Sequence, residues 1–157
     1  MQNYTDQYIE SLECADDYAR SFGMDKVEPV HLLLGVLCIS ESRAAKAFKE
    51  AGVTRQWVKD VIDEAIGNVP LAVDFMDELE ISKGAEKVLT FADNIGRLMD
   101  EDVDVDHIAL GLLKKSGLHA DLITLRVPPQ EIYDSLFNDL LFRAKEVVAN
   151  QVTIEDL

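Results

Sequence analysis

The chain is short of positive charge. Its 157 residues include 15 lysines and arginines against 30 aspartates and glutamates, giving a formal net charge of −15 at pH 7. Nucleic-acid recognition depends on cations that neutralise phosphates, so this composition argues against a nucleic-acid partner. The acidity is uneven, because residues 70–110 hold eleven carboxylates and only three basic side chains. This stretch indicates either a solvated acidic face or a surface that selects basic partners.

Long apolar runs are also missing. No stretch approaches the roughly 18 to 20 consecutive apolar residues of a membrane helix. The N-terminal MQNYTDQYIESLE lacks the positive and apolar regions of a secretory signal. The only two cysteines, Cys14 and Cys38, fall in helical patterns without metal-type or redox-type spacing, and we expect both to be reduced core residues. Together these features predict a cytoplasmic protein with no membrane partner.

Chemistry-bearing motifs are absent too. None of the eight glycines begins a G-x-x-x-x-G-K-[ST] phosphate loop, and no serine or cysteine sits in a nucleophile elbow. The run DEDVDVD at 100–106 resembles a calcium loop, but His107 and Leu113 stand where such a loop needs glycine and glutamate. His31, His107 and His119 are expected to pack and hydrogen-bond locally instead of binding metal. We therefore predict no cofactor, no metal and no enzymatic activity.

What the sequence does contain is a repeat. VEPVHLLLGVL at 27–37 returns as VDVDHIALGLL at 103–113, with the histidine and the glycine in the same places. The first helical stretch gathers apolar or small residues on one face because they step by three and four. These residues are Ile9, Leu12, Ala15, Ala19 and Phe22. A shift of 77 turns the last four into Leu89, Ala92, Gly96 and Met99. Each repeat is expected to bury its apolar face against its twin.

Helix-start and helix-stop signals divide the chain into about eight helices in two four-helix units. Thr5, Pro29, Thr54, Ser82, Asp106 and Pro128–Pro129 mark predicted helix starts. The whole chain, 1–157, is predicted to be one domain, with repeat one at about 4–67 and an inter-repeat loop at about 68–81. Repeat two follows at about 82–141, and a helical extension at about 142–157.

The doubled order of an A-x-x-x-A helix, an H-L-L-L-G-x-L helix and a G-V helix start resembles the Clp N-terminal domain. VEPVHLLLGVL and AGVTRQWVKDVIDEAIGNVP are most similar to the disaggregase branch of that family. The resemblance spans about residues 4–141. It implies an all-α, pseudo-twofold bundle of two repeats that recognises proteins without catalysis and behaves as a monomeric appendage of a Clp AAA+ ring.

The resemblance also implies candidate binding residues. In the branch that reads phosphoarginine tags, two glutamates hold the guanidinium group, and the matching positions here are Val30 and Asp106, which makes that recognition doubtful. In the disaggregase branch, an apolar groove flanked by a threonine and two acidic residues engages unfolded segments. The matching positions are Thr5, Phe91, Ile95, Asp100 and Asp106. Phe91 lies beside the apolar stripe of its helix, so its ring is expected at the rim of the core.

Three functions are compatible with the sequence. The first is a recognition module of a Clp-type chaperone or protease, with unfolded or tagged substrates and adaptor proteins as partners. The second is a stand-alone mimic of that module, which docks on a Clp ring or adaptor and regulates access. The apparent helical tail favours it slightly over a fragment of a longer ATPase. The third is a small helical ligand-binding protein or hydrolase that shares only the fold.

Overall fold

The computed structural model describes residues 3–66, 79–115 and 129–143. Seven helices lie in these ranges: α1 Asp6–Ser21, α2 Pro29–Cys38, α3 Arg43–Glu50, α4 Arg55–Ile66, α5 Lys83–Leu98, α6 Val105–Lys115 and α7 Pro129–Arg143. Two short parallel strands accompany them, β1 Lys26–Val27 and β2 Glu80–Ile81. The predicted all-α class is therefore confirmed. None of these seven helices is both long and apolar enough to cross a bilayer.

Most predicted helix starts agree with the structure because they depend on local capping. Thr5 and Ser82 precede α1 and α5, and each hydroxyl accepts a hydrogen bond from the backbone N–H three residues further along the chain. Thr54 does the same for α4 through the N–H of Trp57. The start predicted at Asp106 is one residue late, since α6 begins at Val105.

Several predictions fall outside the described residues. They concern the eighth helix, His119, Pro128, the loop residues 68–78 and the extension beyond residue 143. The last residues of the predicted inter-repeat loop are described, and there the prediction is wrong, since Glu80–Ile81 form a strand. That strand exists because residues far apart in sequence pair their backbones, which local pattern does not reveal.

The buried face of α1 differs from the predicted one at one position. Ala15, Ala19 and Phe22 are buried as expected, but Ile9 is 48% exposed, and Tyr8 is buried in its place. Tyr8, Ser11, Ala15 and Ala19 step by three and four along the helix, so they form the face that meets α2. Ile9 lies to the side of this face.

Two glycines let the helices of each repeat cross closely. A Cβ at Gly35 of α2 would collide with the carbonyl oxygen of Ser11 in α1. A Cβ at Gly111 of α6 would lie 2.7 Å from the carbonyl oxygen of Val88 in α5. Both pairs occupy equivalent places in the two repeats. Between the repeats, α2 packs against α6, so these two almost fully buried helices form the centre of the domain.

The repeats exchange short strand pairings. The N–H of Thr5 donates to the carbonyl of Val103 at 3.0 Å, and the N–H of Ser82 donates to that of Val27 at the same distance. Tyr4 forms a parallel bridge with Val103, just as Ile81 pairs with Val27. The segment before the first helix of each repeat therefore joins the turn before the short helix of the other, which ties both halves together.

The duplicated histidines cap the N-termini of the two central helices, α2 and α6. Nδ1 of His31 accepts the backbone N–H of Glu28 at 2.9 Å, and Nδ1 of His107 accepts that of Asp104 at 2.8 Å. This reciprocal capping leaves each ring buried. The expectation that both pack and hydrogen-bond locally is confirmed.

The expectation for the cysteines is wrong. Cys14 of α1 and Cys38 of α2 are joined by a disulfide. Sequence spacing did not indicate this because the close crossing of α1 and α2, not the 24-residue separation, brings them together. The cytoplasmic location, which rested in part on reduced cysteines, stays a prediction.

We expect Gly35→Ala and Gly111→Ala each to lower the free energy of unfolding by about 2 kcal/mol or more, because the helices must move apart to admit a methyl group. Urea denaturation measures the loss. Gly84→Ala is the matched control, since the three atoms nearest to its Cβ belong to the side chains of Pro29 and Ser82 and not to a backbone carbonyl. A loss at Gly84 as large as at Gly35 would contradict the close-crossing interpretation.

Burial lowers the pKa of His31 to about 4. The unfolded chain takes up this proton near pH 6.5 and the folded protein resists it, so the stabilisation is complete above about pH 6.5 and is lost as the pH falls towards 4. We expect a loss on the order of 3 kcal/mol over that range. Urea unfolding of the wild type and of His31→Gln at several pH values isolates this contribution from the many carboxylates. Equal pH dependence in both proteins would contradict it.

Candidate functional site

Thr5 is a junction between the two repeats. Its hydroxyl accepts the N–H of Tyr8 at 3.1 Å and donates to the carboxylate of Asp104 at 2.8 Å, across 99 residues of sequence. Asp104 also accepts the N–H of Val105 at 2.8 Å at the start of α6. The predicted site residue Thr5 therefore meets Asp104, which the sequence analysis did not single out. The sequence signal that could have indicated Asp104 was its place in the repeat, where it is equivalent to Glu28.

Asp100 follows α5 and is exposed, with a backbone φ of +52°. Gly23, at the equivalent place in repeat one, has φ of +73°. Glycine adopts this left-handed conformation without steric penalty, whereas aspartate does so at some cost. Repeat two thus keeps a carboxylate at the surface where repeat one has a glycine, which adopts this conformation without steric cost.

Asp106 is buried in the first turn of α6. Its carboxylate accepts the backbone N–H of Ala44, in the first turn of α3, at 3.0 Å. This N–H has no partner within its own helix, so the Asp106 side chain stabilises α3 from the other repeat. Val30 at the equivalent position carries no carboxylate, and the two halves differ here.

Phe91 and Ile95 lie in the core of the domain. Phe91 is 2% exposed and Ile95 is fully buried, so the prediction that the Phe91 ring lies at the rim is wrong. The reason is that Phe91 turns inward with Val88 and Ala92, which widens the buried face of α5. Their part in binding stays a prediction.

The surface above Phe91 also has an unexpected charge. A shallow cavity beside it is lined by Lys83, Lys87, Lys114, Glu86, Thr90, Asn94 and Phe91 itself. Three of the chain's few cations therefore surround the place where carboxylates were expected. Of the described residues that line this cavity, only Glu86 is acidic, and the acidic apolar groove inferred for repeat two stays a prediction.

A groove of the predicted character lies between α1 and β2, beside the helices of repeat one. We call it the α1–β2 groove; it is lined by Ile9, Leu12, Val27, Leu32, Leu79 and Ile81, with the carboxylates Glu13 and Asp16. Ile9 and Ile81 are about half exposed, at 48% and 47%. Large apolar side chains in this state leave surface in water that a ligand could cover. Apolar periodicity did not reveal the groove because it treated Ile9 as core and residues 80–81 as loop.

The equivalent region of repeat two is occupied by a tyrosine. Tyr4 is the repeat equivalent of Ile81 and pairs with Val103 of repeat two, and its ring centre lies 4.6 Å from that of Tyr8. Partial burial, followed by the charge and the hydrogen bond of the Asp93 carboxylate, raises the pKa of Tyr4. Asp93 matches Asp16 of repeat one, which instead pairs with Arg20 at 3.1 Å. The two repeats therefore present different surfaces on one backbone plan.

Across residues 3–66, 79–115 and 129–143, no three histidine, cysteine or acidic side chains gather closely enough to hold a metal ion. The predicted site residues also have different structural roles. Thr5 and Asp106 form hydrogen bonds between the repeats, whereas Phe91 and Ile95 fill the core.

The two interlocked helical repeats define a duplicated all-α domain with pseudo-twofold symmetry. Over residues 3–125 the sequence matches the Clp repeat (R) N-terminal domain, and the chain belongs to this family. It is 31% identical over 112 residues to the chaperone protein ClpB of Bacteroides thetaiotaomicron, covering 71% of this chain and 13% of that relative. It is 28% identical over 115 residues to the chloroplastic chaperone ClpD2 of Oryza sativa subsp. japonica, covering 71% and 12%. The chain thus spans about an eighth of these relatives.

Solved structures agree with the fold. The N-terminal domain of ClpD from Arabidopsis thaliana superposes with a TM-score of 0.69 at 22% identity, covering 88% of this chain and 94% of that one. The Hsp104 N-terminal domain from Candida albicans gives 0.68 at 21% identity, covering 86% and 89%. The expected pseudo-twofold bundle of the Clp N-terminal domain is confirmed.

We expect Asp100→Gly to raise the free energy of unfolding by about 0.5 kcal/mol, because glycine removes the steric cost of the positive φ but gains entropy in the unfolded chain. The reverse change in repeat one, Gly23→Asp, should lower it. Urea denaturation at neutral pH measures both. A lower stability of Asp100→Gly would mean that the carboxylate makes a contact worth more than the backbone strain.

Proposed function

We propose that this chain is a non-catalytic recognition module of a Clp-type chaperone system, which binds unfolded polypeptide or adaptor proteins. Membership of the Clp repeat family and the similarity to ClpB support the coarse assignment. The finer assignment, binding of unfolded polypeptide or adaptors, is supported by the position of the exposed apolar side chains. Tyr4, Ile9 and Ile81, three of the four large exposed ones among the described residues, lie in or near the strand pairings between the repeats.

These side chains are in an acidic setting. Helix α1 alone carries five carboxylates against one arginine, and the whole chain has a net charge of −15. Apolar surface among carboxylates favours polypeptides that combine apolar with basic residues, since burial of the former and attraction of the latter act together. Unfolded segments expose both kinds of side chain, whereas folded proteins hide the apolar ones.

The five sequence-predicted residues have two roles in this proposal. Thr5 and Asp100 contribute at the surface, where both are at least partly accessible. Phe91 and Ile95, which are buried, and Asp106, which caps α3, maintain the fold that holds this surface. A Clp ring, reached within the same chain or as a separate protein, would receive what the domain captures.

The proposal is tested by an amide chemical-shift titration with a permanently unfolded polypeptide rich in leucine and lysine. We expect shifts at or near Tyr4, Ile9 and Ile81, and weaker binding as salt rises past about 0.15 M, where screening extends over roughly 8 Å. The same polypeptide with glutamate in place of lysine is the control. A silent spectrum with the basic polypeptide would contradict direct capture of unfolded chains.

A further inference from the structure

Among the described residues, Ile81 stands in the α1–β2 groove where the equivalent residue on the other side of the domain is Tyr4. On the other side of the pseudo-twofold axis, the Tyr4 ring lies against Tyr8 and its hydroxyl contacts Asp93. At the equivalent place Ile81 has no ring and no hydroxyl, and the residue equivalent to Tyr8 is Ala85. The α1–β2 groove therefore keeps a concave apolar surface, whereas the equivalent place beside repeat two holds the Tyr4–Tyr8 aromatic pair.

The walls of this groove favour an extended segment over a compact ligand. One wall is the helix α1, through Ile9 and Leu12, and the other is the short strand β2, through Ile81 and the preceding Leu79. Leu79 and Ile81 are two residues apart, so their side chains point to the same side of the strand. A helix and a strand that face each other with apolar side chains form a trough, into which side chains of an extended chain can insert.

The negative charge of the groove favours a ligand with positive charge. Of the described residues that line it, the two charged ones are Glu13 and Asp16, and both are acidic. Asp16 is paired with Arg20, while Glu13 is exposed. On α1 the nearby Glu10 and Asp17 add to the negative field. Lysine and arginine can lay their aliphatic stems along an apolar wall and bring their charge to such carboxylates.

We infer that the α1–β2 groove binds an extended polypeptide segment in which an apolar residue is flanked by lysine or arginine. The apolar side chain enters between Ile9 and Ile81, and a flanking cation meets Glu13. The lysine-lined cavity over Phe91 has the opposite charge and does not bind this segment. Recognition is thus assigned to the α1–β2 groove, although four of the five residues that sequence resemblance indicated lie in repeat two.

This inference rests on the proposed function, and its test separates the two. The probe is a short fluorescent peptide of leucines flanked by lysines, and its affinity is measured by anisotropy. We expect Ile9→Asp and Ile81→Asp each to weaken binding about tenfold, the equivalent of about 1.4 kcal/mol of lost apolar contact. Glu13→Gln should weaken binding less and reduce its salt dependence. Both isoleucines are about half exposed, so the fold should tolerate the changes.

Leu98→Asp is the matched control, because Leu98 is 39% exposed on α5 and does not line the groove. It should leave the affinity nearly unchanged, and thermal unfolding of each variant confirms that it is folded. If both isoleucine variants bind the peptide with the affinity of the wild type, the groove assignment is overturned and the proposed function stays intact. If the wild type binds neither this peptide nor the unfolded polypeptide, both proposals are lost. A peptide with glutamate in place of lysine that binds equally well would overturn the selection for basic segments.

Discussion

The spacing of the whole bundle follows from one kind of contact, a glycine against a backbone carbonyl. Gly35 meets Ser11 and Gly111 meets Val88, so α1 and α5 lie on the two central helices at a distance no other residue allows. This approach brings Cys14 to Cys38 and lets the nearly continuous apolar faces of α2 and α6 meet between the repeats. A wider crossing would open voids along those faces, and interiors this densely packed tolerate them poorly.

The second constraint is the exchange of strand pairings between the repeats. Each first helix is preceded by a segment that hydrogen-bonds to the other half, at Val103 and at Val27. Thr5 and Asp104 add a side-chain bond to one of these junctions, and Asp106 adds a cap on α3. Neither half can therefore unfold at these junctions without breaking bonds to its twin, which indicates cooperative unfolding of the domain.

Duplication gave the protein two equivalent surfaces that have since diverged. Beside repeat two, Tyr4 packs on Tyr8, and a lysine-lined cavity lies above the buried Phe91. Repeat one has an open groove with Ile9, Ile81 and acidic neighbours. The backbone is shared, so specificity resides in a few side chains at matching positions. This division agrees with a recognition domain in which the interior maintains the fold and the surface is free to vary.

The sequence by itself determined the helices, their starts and the duplication, because caps and apolar periodicity act over three or four residues. Ser82, Thr54 and the two histidines were interpreted correctly for this reason. Only the tertiary structure decided that Ile9 is exposed, that Phe91 is buried beneath lysines and that Cys14 meets Cys38. It also brought Thr5 to Asp104. These outcomes depend on which faces meet across 24 to 99 residues of chain, and no local pattern contains that information.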